Sequence, residues 1–269
     1  MKDNVYIFHL ILIVSTLFLG MQACDTGIDG LNEEKGIYSI YGYLDMKKDT
    51  NFVRVKNLNT PLTATSSDSI DAKVTLKNLV TGNTSILKDS VIDFDGVKTH
   101  NFMTTMNLQP DTEYQLKVQR SDGRSLSATA STPYLANREL KPSNPVCEGP
   151  TELVFEPVRD KFALDLKISF LYEGQRYWVN ANNRLEEKGD GVVASFWFEN
   201  IVKAPFSPEL VFCNELSSDI FTIQYYHYGP DLFEDNVSDS INIPGGAGRF
   251  GAFYKESFTV QVDTARSKN

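Results

Sequence analysis

The residues whose spacing most suggests chemistry are Gly246-Ala247-Gly248-Arg249-Phe250-Gly251, which fit the dinucleotide pattern GxGxxG letter for letter. That fingerprint works when the glycines open a helix whose N-terminus holds a pyrophosphate, with an acidic residue about 20 positions later on the ribose. Here Ala252 to Val262 alternate like a strand instead. The expectation is a glycine-rich turn or bulge that lets two backbones approach closely, with no nucleotide and no other cofactor. Asp93-Phe94-Asp95-Gly96 has the start of a calcium loop without its further ligands and terminal Glu, so it reads as a solvated turn. His100 and His227 stand far apart, outside any HExxH or CxxC spacing, and read as ordinary strand histidines. Glu186 and Glu187 are neighbours and would point to opposite sides of a strand, which does not suit a glycosidase pair. A GxSxG elbow is absent. The chain is therefore expected to be no enzyme and to hold no metal.

Aromatic residues carry more weight. Tyr177-Trp178, Phe196-Trp197-Phe198 and Tyr225-Tyr226-His227-Tyr228 concentrate in the second half of the chain. Neighbours on a strand point to opposite faces, so within each run one set packs inward while the other is free to meet a ligand. Tyr225 and His227 would share one face, Tyr226 and Tyr228 the other. Tyr177, Trp178, Trp197, Tyr226 and Tyr228 are the ligand-binding candidates, because exposed rings stack on sugars or on apolar groups of a partner. Packing between sheets is the alternative role for each of them.

The cysteines speak to location. Val5 to Leu19 is a largely apolar run, shorter than the roughly 20 residues a spanning helix needs, and Gly20-Met21-Gln22-Ala23-Cys24 follows it. Residues 1–23 read as a lipoprotein signal peptide and Cys24 as the acylated residue. A plain secretory signal and an uncleaved anchor are the alternatives. Two cysteines then remain, Cys147 and Cys213, in a compartment that permits disulfides. A bridge between them would stabilise the fold by about 4 kcal/mol if their Cβ atoms meet; two buried thiols are the other reading. The net charge of −9 argues against nucleic acid as a partner and against a basic hold on an anionic leaflet, so attachment would rest on the lipid.

Strands must position all of these residues. Residues 24–36 are a polar tether with Asp25, Asp29, Glu33 and Glu34. From Ile37 the apolar period is two: Phe52, Arg54 and Lys56 against Val53 and Val55, then Val74 with Leu76. Thr81-Gly82-Asn83 and Asp122-Gly123 have the composition of hairpin turns. Tyr114 opens a strand with Leu116 and Val118 on its own face, the pattern of the tyrosine corner in fibronectin-type and immunoglobulin-like sandwiches. Pro133, Pro142, Pro145 and Pro150 mark residues 135–150 as a linker. Beyond it, Leu164 to Phe170, Tyr177 to Val179, Val192 to Phe198, Leu210 to Cys213, Ile220 to Tyr228 and Phe258 to Val262 read as further strands. The expected fold is all-β: a Greek-key sandwich over 37–134 and a second antiparallel β domain over 151–269.

The acylated cysteine with its acidic tether, Tyr38-Ser39-Ile40-Tyr41-Gly42-Tyr43-Leu44-Asp45, the strand Ala128 to Pro133 and the late Ile241 to Ala252 resemble an uncharacterised family of Bacteroidota outer-membrane lipoproteins, often encoded beside TonB-dependent receptors. The resemblance implies a lipid-anchored protein of the outer membrane, facing the cell exterior, that binds a glycan or peptide or supports a TonB-dependent receptor. It implies no catalytic residue. A hydrolase with dispersed residues and a structural or adhesive envelope protein are the alternatives.

Overall fold

The computed structural model describes residues 37–58, 69–94, 96–158, 160–206, 212–232 and 243–264. Cys24, the signal segment and the acidic tether lie outside the described residues. The described chain is almost entirely β: β1 (Tyr38–Asp45), β2 (Asn51–Asn57), β3 (Lys73–Asn78), β4 (Thr84–Ile86), β5 (Lys88–Phe94), β6 (Val97–Thr104), β7 (Glu113–Gln119), β8 (Ser125–Ser131), β9 (Asn137–Lys141), β10 (Thr151–Glu156), β11 (Leu164–Tyr172), β12 (Gln175–Asn180), β13 (Leu185–Lys188), β14 (Gly191–Phe196), the short helix α1 (Phe198–Lys203), β15 (Ile220–Tyr228) and β16 (Ala247–Gln261).

These strands form three sheets. One has eight strands in the order β12-β11-β15-β16-β1-β2-β6-β5; the others have four, β13-β14-β10-β9 and β4-β3-β7-β8. Every pairing between named strands is antiparallel except one. β16 runs parallel to β1, from Ser39 opposite Ala247 to Asp45 opposite Phe253, and its second half runs antiparallel to β15, from Tyr228 opposite Phe253 to Ile220 opposite Gln261. A single strand thus carries the long sheet across both halves of the chain.

Two hydrophobic cores lie against the inner face of the long sheet. The first contains Ile40, Val53, Val55, Leu76, Tyr114 and Phe250, the second Phe155, Phe170, Val192, Phe198, Phe221 and Tyr225. Full burial of one such side chain contributes about 1.5–3 kcal/mol. Phe250 and Ala252 of β16 belong to the first core and Val260 to the second, so residues late in the chain complete a sandwich that opens at Tyr38.

Local chemistry explains the turns. Gly82 and Gly123 sit in the expected hairpins with φ of 78° and 89°, where a Cβ would be strained. Tyr114 forms the tyrosine corner: the backbone N–H of Gln109 donates to its hydroxyl at 2.7 Å. Three segments differ from the sequence pattern. Residues 135–150 contain β9, an edge strand on β10 whose Asn-Arg-Glu-Leu-Lys has no apolar alternation to reveal it. β14 ends at Phe196, and α1 begins where a strand would continue; Phe196 and Phe198 are both buried, leaving Trp197 facing out. Cys213, expected to end a strand, stands in a 3-10 turn over Cys213–Glu215, while residues 207–211 lie outside the described residues.

Cys147 and Cys213 are joined by a disulfide across a sequence separation of 66, with Cα atoms 6.3 Å apart. It ties the loop before β10 to the 3-10 turn that follows α1. The Cys147 N–H donates to the carbonyl of Asp263 at 2.9 Å, which binds the end of the described chain to the same point.

Candidate binding face

The glycine motif resolves into backbone geometry. Gly248 has φ of 110°, and a Cβ there would lie 1.9 Å from the carbonyl oxygen of Ile40 on the paired strand. A Cβ on Gly246 would lie 2.8 Å from the carbonyl oxygen of Tyr38. After Gly251 the chain stays in β16 as far as Gln261, and the helix that a pyrophosphate site needs does not follow. The glycines are what lets β16 lie parallel against β1.

The remaining sequence candidates separate by face. On β15, Phe221, Ile223, Tyr225 and His227 are buried and the intervening residues are not, so Tyr226 and Tyr228 point away from the core. Their rings stack at 6.0 Å with an interplanar angle of 9°. Phe253 of β16 joins them, 5.8 Å from Tyr226 and 6.4 Å from Tyr228. Burial among these rings pushes the Tyr228 hydroxyl up to about 12, with the charge of Asp165 adding to it, so it stays protonated as a hydrogen-bond donor. The ammonium groups of Lys255 and Lys167 lie 5.1 and 5.7 Å from the centre of the Tyr226 ring.

Trp178 lies on the same outer face, 46% exposed, opposite Ser169. Arg176, two residues earlier and so on the same side, donates to the hydroxyls of Ser169 at 3.0 Å and Thr222 at 3.1 Å. Tyr177 points inward, where it stacks on Phe170 at 5.7 Å and meets Phe206 at 4.9 Å, so this ring belongs to the second core. Trp197 is exposed elsewhere. It lines a shallow cleft of about 260 Å³ with Glu152, Arg184, Ser195 and Asn200, beside the sheet of β10 and β14.

Sequence reasoning missed the first half of this face. Tyr41, Tyr43 and Phe52 are each more than two-fifths exposed, and Arg54 and Arg249 flank Tyr41 on β2 and β16. The alternation of β1 and β2 was visible, but the strand that places Arg249 beside Tyr41 is about 200 residues away in sequence, beyond any local signal.

The titratable groups singled out from sequence are held structurally. His100 bonds to the Asp89 carboxylate at 2.8 Å, and three strands separate β6 from β15 and His227. Burial pushes the His227 imidazole down to about 4, against the smaller effect of its bond to the Tyr134 backbone. Its ring meets Tyr134 edge-on at 5.1 Å. The N–H of Gly96 donates to Asp93 at 2.7 Å, closing the solvated turn between β5 and β6. Among the described residues, no group of three or more His, Cys, Asp or Glu side chains could hold a metal ion.

A polar junction lies on the inner face of β16. Arg138 of β9 donates twice to the Glu256 carboxylate, at 3.2 and 3.3 Å, and the Tyr225 hydroxyl donates to it at 2.7 Å. Burial would push that carboxyl up, but these donors outweigh it and hold the group below its usual range. The Arg138 guanidinium also lies 3.9 Å from the centre of the Phe258 ring. This cluster pins the edge strand β9 to the long sheet.

Fold and site define an all-β protein built from packed, mainly antiparallel sheets, with an aromatic outer face on the longest sheet. No protein-family model and no curated protein matches the chain. Among solved structures, two of a pullulanase from Anoxybacillus sp. LM18-11 are similar to it at 10% identity. The complex with maltotriose has a TM-score of 0.24 and the second structure 0.23; each match covers 71% of this chain and 24% of the pullulanase chain. The chain therefore spans far less than the length of those enzymes, and neither their activity nor their ligand follows for it.

Proposed function

We propose that the protein is a non-catalytic, lipid-anchored binding module on the outer face of the outer membrane, acting as an accessory of a TonB-dependent nutrient receptor. Cys24 carries the lipid, and the outer face of the eight-stranded sheet meets the ligand or partner. The observation that supports this reading best is the placement of Trp178, Tyr226 and Tyr228 together on that face, since rings kept out of a core retain area for a partner. The signal pattern that ends at Cys24 supports the anchor.

Two measurements test it. Metabolic labelling with a fatty acid should mark the wild-type chain and not Cys24→Ser, whose product should be soluble or unprocessed. Protease treatment of intact cells should remove the protein, and mild detergent extraction should co-purify it with a TonB-dependent receptor. A chain unlabelled by fatty acid, or protected in intact cells, would overturn the reading.

A further inference from the structure

We propose that the outer face of the eight-stranded sheet binds an acidic glycan, laid along the track from Trp178 through Tyr226, Tyr228 and Phe253, past the Leu232 side chain that covers Gly251, to Tyr43. This inference rests on the binding-module reading above and names the class of its ligand.

The first argument is charge. The chain as a whole carries −9, yet the outward positions of this sheet include Arg54, Lys167, Arg176, Arg249 and Lys255. Asp165 and Asp45 are the carboxylates pointing the same way on β11 and β1, and both are engaged. Asp165 meets Lys167 at 3.3 Å and accepts from the Asn182 amide at 3.0 Å; Asp45 accepts from the N–H of Lys47 at 2.9 Å. Arg176 is bonded to neutral hydroxyls and keeps its full charge. Lys255 and Arg249 have no carboxylate partner among the described residues. A positive face on an acidic protein is complementary to an anion and to little else. At physiological ionic strength the Debye length is about 8 Å, so the local patch outweighs the distant net charge for a ligand in contact with it.

The second argument is the surface between the charges. Thr222, Gln224, Ser257 and Thr259 present neutral hydrogen-bonding groups in the rows between Trp178 and Tyr226, whereas Ser169 beneath Arg176 is buried. Trp178 and Tyr226 are two strands and four residues apart, about 10 Å by 13 Å on an ideal sheet, which gives the track the length of an oligomer and not of a monosaccharide. The rings of Tyr226, Tyr228 and Phe253 are half-buried and pack against one another. The centre of a protein interface would be poorer in hydroxyls and amides. Aromatic rings, neutral hydrogen-bonding groups between them and cations alongside match a chain of sugars bearing carboxylates or sulfates.

The test uses the full-length protein in detergent micelles, with polygalacturonate, maltohexaose, polyglutamate and vesicles as probes. Polygalacturonate should bind, more weakly as salt rises, and maltohexaose at least tenfold more weakly. Arg249→Glu combined with Lys255→Glu should weaken the polygalacturonate complex by at least tenfold, and Trp178→Ala by about tenfold, with melting temperatures unchanged because all three side chains lie on the surface. No binding of polygalacturonate, or equal binding of maltohexaose, would overturn the inference. So would polyglutamate binding that ignores Trp178→Ala, which marks an acidic protein partner, or a preference for phosphatidylglycerol over phosphatidylcholine vesicles without glycan binding, which marks a membrane surface. Any of these outcomes in a protein that is still exposed on cells and still co-purifies with a receptor would refute the glycan and leave the binding-module reading standing.

Discussion

The two cores share one long sheet, but they are closed by different means. The first is closed by backbone fit: β16 lies against β1 because Gly248 has no Cβ, and the loop before β7 is held by the hydroxyl of Tyr114. The second is closed by side chains, with a lattice of rings around Phe170, Phe198 and Phe221 and a disulfide between Cys147 and Cys213. A core sealed by glycine tolerates no added atom at the seam, whereas a core sealed by a covalent link tolerates local change as long as the link remains. β16 binds the two together, so damage to either should be felt in both.

Gly248→Val is the harshest break of that comparison. A β-branched side chain at φ of 110°, with its Cβ driven to 1.9 Å from the Ile40 oxygen, should cost about 2 to 6 kcal/mol in combined backbone strain and overpacking. Denaturant unfolding followed by tryptophan fluorescence, which reports on Trp178 and Trp197 in the other half, should shift with it. An unchanged fluorescence midpoint would show that the halves are independent.

The covalent seal is next. Cys147→Ala combined with Cys213→Ala should cost about 4 kcal/mol, since the crosslink closes a 66-residue separation. Calorimetry should still show one transition at a lower temperature; two resolved transitions would sever the halves thermodynamically.

Acid should act on His227. Its imidazole is neutral in the fold, down to about 4, while the unfolded chain titrates near the ordinary 6.5. Above pH 6.5 both states are neutral and stability is fully present. As pH falls from 6.5 to 4 the unfolded chain takes up a proton that the fold refuses, and about 3 kcal/mol is lost. In His227→Gln the fall in stability between pH 7 and pH 4.5, read from urea midpoints, should be smaller by most of that amount. An equal fall in both proteins would reject the assignment.

Tyr114→Phe is the mildest change. It removes one hydroxyl that accepts from the N–H of Gln109 and should cost about 1 kcal/mol without altering the fold. A larger loss by chemical denaturation would mean that the first core leans on this corner more than on its packed strands.

Much of this was legible along the chain. Period-two alternation marks Val53 with Val55, Leu116 with Val118 and Leu166 with Ile168, because burying one face of a strand dictates residue type at every second position. It also pairs Tyr226 with Tyr228 on the side opposite Tyr225. The polar edge strand β9 was illegible, since an exposed strand needs no apolar residues, and so was the switch from strand to helix at Trp197. For the candidate face, Trp178, Tyr226 and Tyr228 were visible in the sequence, while Tyr41, Tyr43 and the cations that the fold sets beside them were not.

The residue sequence alone decides which faces are apolar, where turns with positive φ fall, and that two cysteines remain to form a bridge once Cys24 is set aside. Partnership between distant strands is decided only in three dimensions. Nothing near Gly248 announces Ile40 as its neighbour, and nothing near Tyr41 announces Arg249, because backbone hydrogen bonds in a ladder are the same whatever strand supplies them. Register is selected by the global burial of both cores, so the continuous sheet and the positive face upon it come into being only when β16 is placed.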